Sequence, residues 1–191
     1  MEDDIKLKIY IVGAQSTGKT TLLNYIADRY NINKITEVAR QVLAKYGNNL
    51  KEIRSNMDKC KSFQRDILEE QIEKERLTEE PFICDRGLDI IAYFAHHNLD
   101  TYDILNKDYT KDYIESYKDN NVVVLFVRPE EELIKDDGIR GDLTIETIYR
   151  IDGMIKYILE SNDINYISIQ SKHMNERIRA LQSIFEIKDI R

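Results

Sequence analysis

Apolar residues along this chain switch repeatedly between a strand-like and a helix-like period, and the switching predicts alternating strands and helices. Lys8–Val12 is a short β-branched run that stops at Gly13. Lys19–Tyr30 follows with Leu22, Leu23, Ile26 and Ala27 at helical spacing. A second short strand is expected over Asn33–Thr36. The charged segment Ser62–Leu77 keeps Phe63, Ile67, Leu68, Ile72 and Leu77 on one helical side. Pro81 opens a third strand, Phe82-Ile83-Cys84, and Asp89–His97 and Tyr109–Lys118 are helical in pattern. Val122–Val127 is an unbroken apolar strand closed off by Pro129. Thr144–Leu159 carries Ile148, Ile151, Ile155, Ile158 and Leu159 as one apolar stripe. Tyr166–Ile169 and Met174–Phe185 supply a last strand and a last helix. The strands are apolar at consecutive positions, so both of their faces are covered. That is the pattern of a parallel sheet between two helical layers.

Composition narrows this picture. The 191 residues, 42% hydrophobic and 33% charged, suit one globular domain spanning 1–191, with no repeat or linker to divide it. No apolar stretch reaches the length of a membrane span, Met1 is followed by the acids Glu2, Asp3 and Asp4, and Ile9–Val12 is too short for a signal peptide. A soluble cytoplasmic protein with no membrane partner is expected. The net charge of -7 argues against a surface devoted to nucleic acid, although a local basic groove is compatible with it. Cys60 and Cys84 stand far apart without a C-x-x-C partner or clustered histidine, so they read as reduced thiols rather than a disulfide or zinc site.

The chemistry begins at Gly13-Ala14-Gln15-Ser16-Thr17-Gly18-Lys19-Thr20, followed by Thr21. This G-x-x-x-x-G-K-T spacing is the Walker A pattern, placed between a short apolar strand and an amphipathic helix. Backbone N–H groups of such a loop point inward as an anion nest, and the helix that follows adds the positive end of its dipole. Lys19 is expected to reach the β- and γ-phosphates of ATP, and the Thr20 hydroxyl to ligate Mg²⁺. Gly13, Gly18, Gly87, Gly138 and Gly141 all fall in loops assigned to the site.

A phosphate loop does not name a reaction. Phe82-Ile83-Cys84 ends in Asp85, a carboxylate placed to hold magnesium in its outer shell, but Arg86 follows where an ATPase motor would carry a Glu. No guanine-reading N-K-x-D closes a strand, since Asn106-Lys107-Asp108 is one residue short. Asp137-Gly138-Ile139-Arg140-Gly141 offers a Gly-flanked arginine in a lid spanning roughly 129–143, able to neutralise charge on a transferred phosphoryl group. Glu37, in Thr36-Glu37-Val38-Ala39-Arg40, lies just past the second strand on the edge that carries the phosphate loop. It is either a base for an acceptor hydroxyl or a solvated residue opening the next helix.

Taken in order, the phosphate loop, Glu37-Val38-Ala39-Arg40, Phe63-Gln64, Asp85-Arg86-Gly87 and Asp137-Gly138-Ile139-Arg140 resemble the P-loop ATPase/kinase family of ribosylnicotinamide kinase domains. They are similar in order to deoxynucleoside kinases and, more distantly, to thymidylate kinases. The resemblance runs from about Lys8 to Ile169. It implies a three-layer α/β P-loop fold with a mostly parallel five-stranded sheet, the Asp85 strand lying beside the phosphate-loop strand. It places the general base on Glu37, nucleobase contacts on Phe63 and Gln64, and orientation of the acceptor hydroxyl and phosphates on Asp85 and Arg86. Lid arginines correspond to Arg140, with Arg128 a looser candidate. The chain departs from the pattern in lacking a Pro after Glu37 and in having a D-G-x-R lid instead of an arginine-dense run.

Together these readings predict an ATP- and Mg²⁺-dependent kinase. Lys19, Glu37, Arg86 and Arg140 would be its catalytic residues, and Thr20 and Asp85 would serve the metal. Glu37, Arg40, Phe63, Gln64, Asp85, Arg86 and Tyr93 would line the acceptor site. The preferred acceptor is a nucleoside-like small molecule. Two alternatives stay open: a kinase of nucleic-acid ends or of a modified base in DNA, and an ATPase or switch acting on a partner protein. Phe94 joins Tyr93 as a candidate pocket wall. His96 and His97 are read as helix-end histidines in water. Tyr102, Tyr109, Tyr113 and Tyr117 are read as one partly buried helix face, and Glu69, Glu70, Glu73 and Glu75 as a solvated helix surface.

Overall fold

The computed structural model describes residues 6–133 and 144–187. The lid motif Asp137–Gly141, with Arg140, lies outside the described residues.

Five strands form one sheet in the order β2-β3-β1-β4-β5. They are β1 (Lys8–Val12), β2 (Asn33–Ile35), β3 (Phe82–Cys84), β4 (Val122–Val127) and β5 (Ile167–Ile169). Every pairing is parallel, with Ile9 opposite both Ile83 and Val123. The consecutive apolar positions explain the layering. Tyr10, Val12, Cys84, Val124 and Phe126 enter a core on one face of the sheet. Ile9, Ile11, Ile83, Val123, Leu125 and Val127 enter a second core on the other face.

On that second face lie α1 (Lys19–Tyr30) and α9 (Met174–Ile187), joined through Leu22, Leu23, Ile26, Leu181 and Phe185. The Tyr30 and Phe185 rings stack at 4.7 Å, and Gln182 donates to the Tyr25 hydroxyl. The first face is covered by α2 (Val38–Lys45), α3 (Leu50–Ser55), α4 (Met57–Leu77), α5 (Asp89–His96), α6 (Thr101–Leu105), α7 (Asp108–Ser116) and α8 (Ile145–Ser161).

Helix α4 begins five residues earlier than the apolar pattern indicates. Asn56 caps it, its side chain accepting from the Lys59 amide, so the first turn is held by a hydrogen bond and needs no apolar stripe. Among the described residues, no helix is long and apolar enough to cross a membrane.

The strand order puts β1 at a switch point: the chain leaves it toward β3 and β2 on one side, then returns to β4 and β5 on the other. Loops after β1, β2 and β3 therefore converge at their carboxyl ends, where open α/β sheets bind ligands.

Candidate active site

The loop after β1 is shaped for an anion. Ser16 (φ 59°) and Gly18 (φ 90°) both take left-handed backbone, which turns successive amides toward one side. Apart from Thr17 in the tight turn over Gln15 and Ser16, the backbone N–H groups from Ala14 to Gly18 make no backbone hydrogen bond among the described residues. Gly13 is required by packing, because a Cβ there would collide with the Val127 carbonyl at the end of β4. Thr17 is buried, and its hydroxyl donates to the Ala14 carbonyl at 2.9 Å. Lys19 Nζ donates to the Gly13 and Ala14 carbonyls at 2.7 and 2.8 Å, which folds its ammonium back along the loop. Thr21 sits exposed in the first turn of α1.

Thr20 and Asp85 meet. The Thr20 hydroxyl donates to Asp85 Oδ2 at 2.8 Å, joining the end of the phosphate loop to the end of β3. A hydroxyl and a carboxylate placed together are hard oxygen donors of the kind magnesium takes.

One cavity of about 160 Å³ joins the phosphate loop to the acceptor residues. Its near end is formed by Gln15, Thr20, Asp85 and Glu37, and its walls by Arg86, Gln64, Phe63, Tyr93 and Arg40. Beyond these lie Cys60, Ile53, Arg54 and His97. Apolar Leu43, Leu50, Ile53, Phe63 and Ile67 share the lining with a comparable set of charged and polar side chains, and Gln64 is 7% exposed within it.

Glu37 caps α2 in a left-handed conformation at φ 63° without using its side chain as the cap. A non-glycine residue held there is strained by about 1 kcal/mol or more, and such strain is common at functional positions. Its carboxylate pairs with Arg40 Nη1 at 2.9 Å, with both side chains substantially exposed.

Arg86 lies against the Tyr93 ring, its guanidinium carbon 5.5 Å from the centroid. Burial pulls this guanidinium down, but Tyr93, Asp89 and Asp85 outweigh it and leave the group above its ordinary value. Asp89 is wholly buried and escapes the sequence reading. Its Oδ1 accepts from the Gly87 amide at 2.6 Å, fixing the Asp85-Arg86-Gly87 turn. Burial raises the Asp89 carboxyl, while Lys19 and Arg86 act against that rise. The signal available for it is an acid in the first turn of the helix that follows Gly87.

Several expectations are corrected. Arg128, the looser lid candidate, is held by the fold: its guanidinium makes a bidentate pair with the buried Asp152 of α8, at 2.6–3.1 Å. Phe94 is 1% exposed in the core and lines no part of the cavity. His97 does line it. Burial, His96 and Arg54 push its imidazole down to about 4, so it is neutral near pH 7. Tyr113 and Tyr117 form a buried face, whereas Tyr102 stands on a separate helix with 79% of its surface exposed.

Glu75 does not belong to a solvated surface. Its carboxylate accepts from the Tyr10 hydroxyl at 2.8 Å, and from the Tyr113 hydroxyl and Gln71 amide at 2.7 Å each. Burial pushes it up to about 7 despite these bonds. The Tyr113 and Tyr117 hydroxyls lie 3.0 Å apart, and the Tyr117 hydroxyl presses on Gly87. Gly87 therefore serves close packing rather than positive φ.

A parallel five-stranded sheet, helices on both faces and a Walker A loop at the switch point define a three-layer P-loop fold of the nucleoside and nucleotide kinase type. The chain belongs to the AAA domain family, whose model matches residues 8–177. No curated protein matches the sequence. Among solved structures, the chain is similar to a deoxyadenosine kinase from M. mycoides with dCMP and dCDP bound. That likeness has 17% identity and a TM-score of 0.66, covering 97% of this chain and 100% of the other. It is also similar to NadR protein in complex with NR, at 15% identity and TM-score 0.71, over 98% of this chain and 51% of that one. A third likeness is thymidylate kinase from Candida albicans, at 18% identity and TM-score 0.60, covering 96% and 92%.

Proposed function

We propose that the protein is a cytoplasmic kinase that moves the γ-phosphate of ATP, with magnesium, onto a hydroxyl of a nucleoside-like small molecule. The observation that carries this reading is continuity: Gln15 and Thr20 of the phosphate loop line the same cavity as Glu37, Gln64, Arg86 and Tyr93. Donor and acceptor then meet in one chamber. The bound nucleosides and nucleotides of the deoxyadenosine kinase and NadR structures support an acceptor of that class.

In this reading the amides of Ala14–Gly18 hold the triphosphate, and Lys19 exchanges its loop carbonyls for the β- and γ-oxygens. Thr20 and Asp85 would hold the metal ion, which supplies charge neutralisation between the phosphates when bound. Glu37 accepts the proton of the acceptor hydroxyl. Arg86 stabilises charge on the transferred group, as does Arg140 from outside the described residues. Gln64 hydrogen-bonds the base-like part of the acceptor, while Phe63 and Tyr93 pack on it and Arg40 holds Glu37 in place. Most of the rate acceleration comes from positioning.

The test is incubation with γ-labelled ATP, magnesium and a panel of nucleosides, nucleotides, ribosylnicotinamide and oligonucleotides. Label on a nucleoside-class acceptor is expected. Label on oligonucleotides alone would make the protein a nucleic-acid kinase, and label released only as free phosphate would make it an ATPase.

A further inference from the structure

Arg177 is 1% exposed and lies in the first turn of α9, on the opposite side of the phosphate loop from the cavity described above. Three of its five N–H donors are engaged among the described residues, all by backbone carbonyls. Nη1 donates to the Thr17 carbonyl at 2.7 Å, Nη2 to the Arg128 carbonyl at 3.0 Å, and Nε to the Ser171 carbonyl at 2.8 Å. The first of these ties the last helix to the phosphate loop, the second to the end of β4, and the third to the turn after β5.

Three costs attend a cation in this position. It is removed from water, and burial pulls it below its ordinary value. It sits at the amino end of a helix, where the dipole favours negative charge. None of the ion pairs among the described residues involves it; Glu130 acts on it only through space, and Glu176 beside it takes the Ser171 hydroxyl. A staple of three carbonyls explains the hydrogen bonds but not the charge, since a buried cation ordinarily comes with a carboxylate.

We propose that Arg177 is a positioning residue of the donor site, a buried cation behind the phosphate loop whose counter-charge is the nucleotide's own triphosphate. This rests on the donor half of the proposed function. The route is through one peptide group. The Thr17 carbonyl accepts from Arg177, and a trans peptide points its N–H, that of Gly18, the opposite way. That N–H has no backbone acceptor among the described residues. Polarising the carbonyl strengthens the N–H as a donor to phosphate, because linked hydrogen bonds reinforce one another. The bonds to Arg128 and Ser171 hold the guanidinium where it can act on the loop.

The experiment measures affinities of wild type, Arg177→Met and Arg177→Lys for AMP, ADP and a non-hydrolysable ATP analogue, each with magnesium, by calorimetry. Thermal melting checks folding. Arg177→Met is expected to lose about 30-fold for the ATP analogue, less for ADP and under 3-fold for AMP. Arg177→Lys, which keeps the charge and loses the fork, should recover to within about 5-fold of wild type for the analogue. Equal losses for all three nucleotides would reduce Arg177 to a structural staple and overturn the proposal, as would an unchanged affinity for the analogue. If Arg177→Met does not fold, Arg177→Lys decides the matter: a loss of about 2- to 5-fold that grows with phosphate number supports the proposal, and no such trend overturns it. Wild type that binds the analogue but labels no acceptor removes the kinase reading and leaves Arg177 in its role.

Discussion

The Tyr117 hydroxyl occupies the space that a side chain on Gly87 would need. That contact makes the Asp85-Arg86-Gly87 turn a packed surface, backed by the Tyr10, Tyr113 and Glu75 cluster and held from within by Asp89. Gly87→Ala is expected to cost about 1–3 kcal/mol of stability through overpacking and to lower phosphoryl transfer by displacing Arg86. Adding Tyr117→Phe removes the colliding hydroxyl and should return part of both losses. Urea denaturation of the four-member cycle measures the coupling. Strict additivity of the two substitutions would show that the contact is not what Gly87 serves.

Glu37 separates stability from activity. Glycine adopts positive φ without strain, and the exposed bridge to Arg40 contributes little. Glu37→Gly should therefore leave the melting temperature equal to wild type or a few degrees higher, while transfer falls about 10²- to 10⁴-fold. Affinity for ATP should hold. A variant that keeps its turnover would place the base elsewhere.

Glu75 gives the fold a pH signature. Its folded value near 7 stands above its ordinary carboxylate value, so between about pH 4.5 and 7 the native state binds more protons than the unfolded chain. Its contribution is therefore present at low pH and is lost as pH rises through 7. His97 runs the other way: its folded value near 4 is depressed, so its contribution is present above the ordinary histidine value and disappears as pH falls toward 4. Glu75→Gln isolates the first of these. The stability difference between Glu75→Gln and wild type should shift in favour of the variant by about 2 kcal/mol from pH 5 to pH 8. Denaturation curves at the two pH values decide it, and a difference that does not change with pH would contradict the assignment.

Gln64 should govern the acceptor and not the donor. It is the buried amide in the cavity wall, so Gln64→Leu is expected to raise KM for a nucleoside acceptor about 10- to 100-fold with KM for ATP unchanged. Steady-state kinetics with each substrate varied in turn separates the two. A shift confined to ATP would move Gln64 to the donor side.

Strands β1, β3 and β4 were legible because each is a largely apolar run with a hard stop. Lys8–Val12 ends at Gly13, Phe82–Cys84 at Asp85, and Val122–Val127 shortly before Pro129. Helices α3 and α6 were not legible, since six and five residues are too few to display a period. Their signals were the caps, where Asn49 and Asp100 accept from Glu52 and Asp103 amides. The phosphate loop was legible because its spacing is local. Glu75 was hidden for the opposite reason: its partners Tyr10 and Tyr113 lie 65 and 38 positions away, and its neighbours in sequence are all charged. Arg128 misled because a basic residue at a strand end looks free until the helix carrying Asp152 is folded against it.

The Arg177 bond to Thr17 spans 160 positions of chain. A ribosome makes the phosphate loop 160 positions before the arginine behind it. Strands β1 to β5 can pair before α9 has emerged, but the loop's final support is laid down only then. Under the role proposed for Arg177, the nascent chain would assemble its sheet early and gain full grip on nucleotide only once synthesis has passed Arg177.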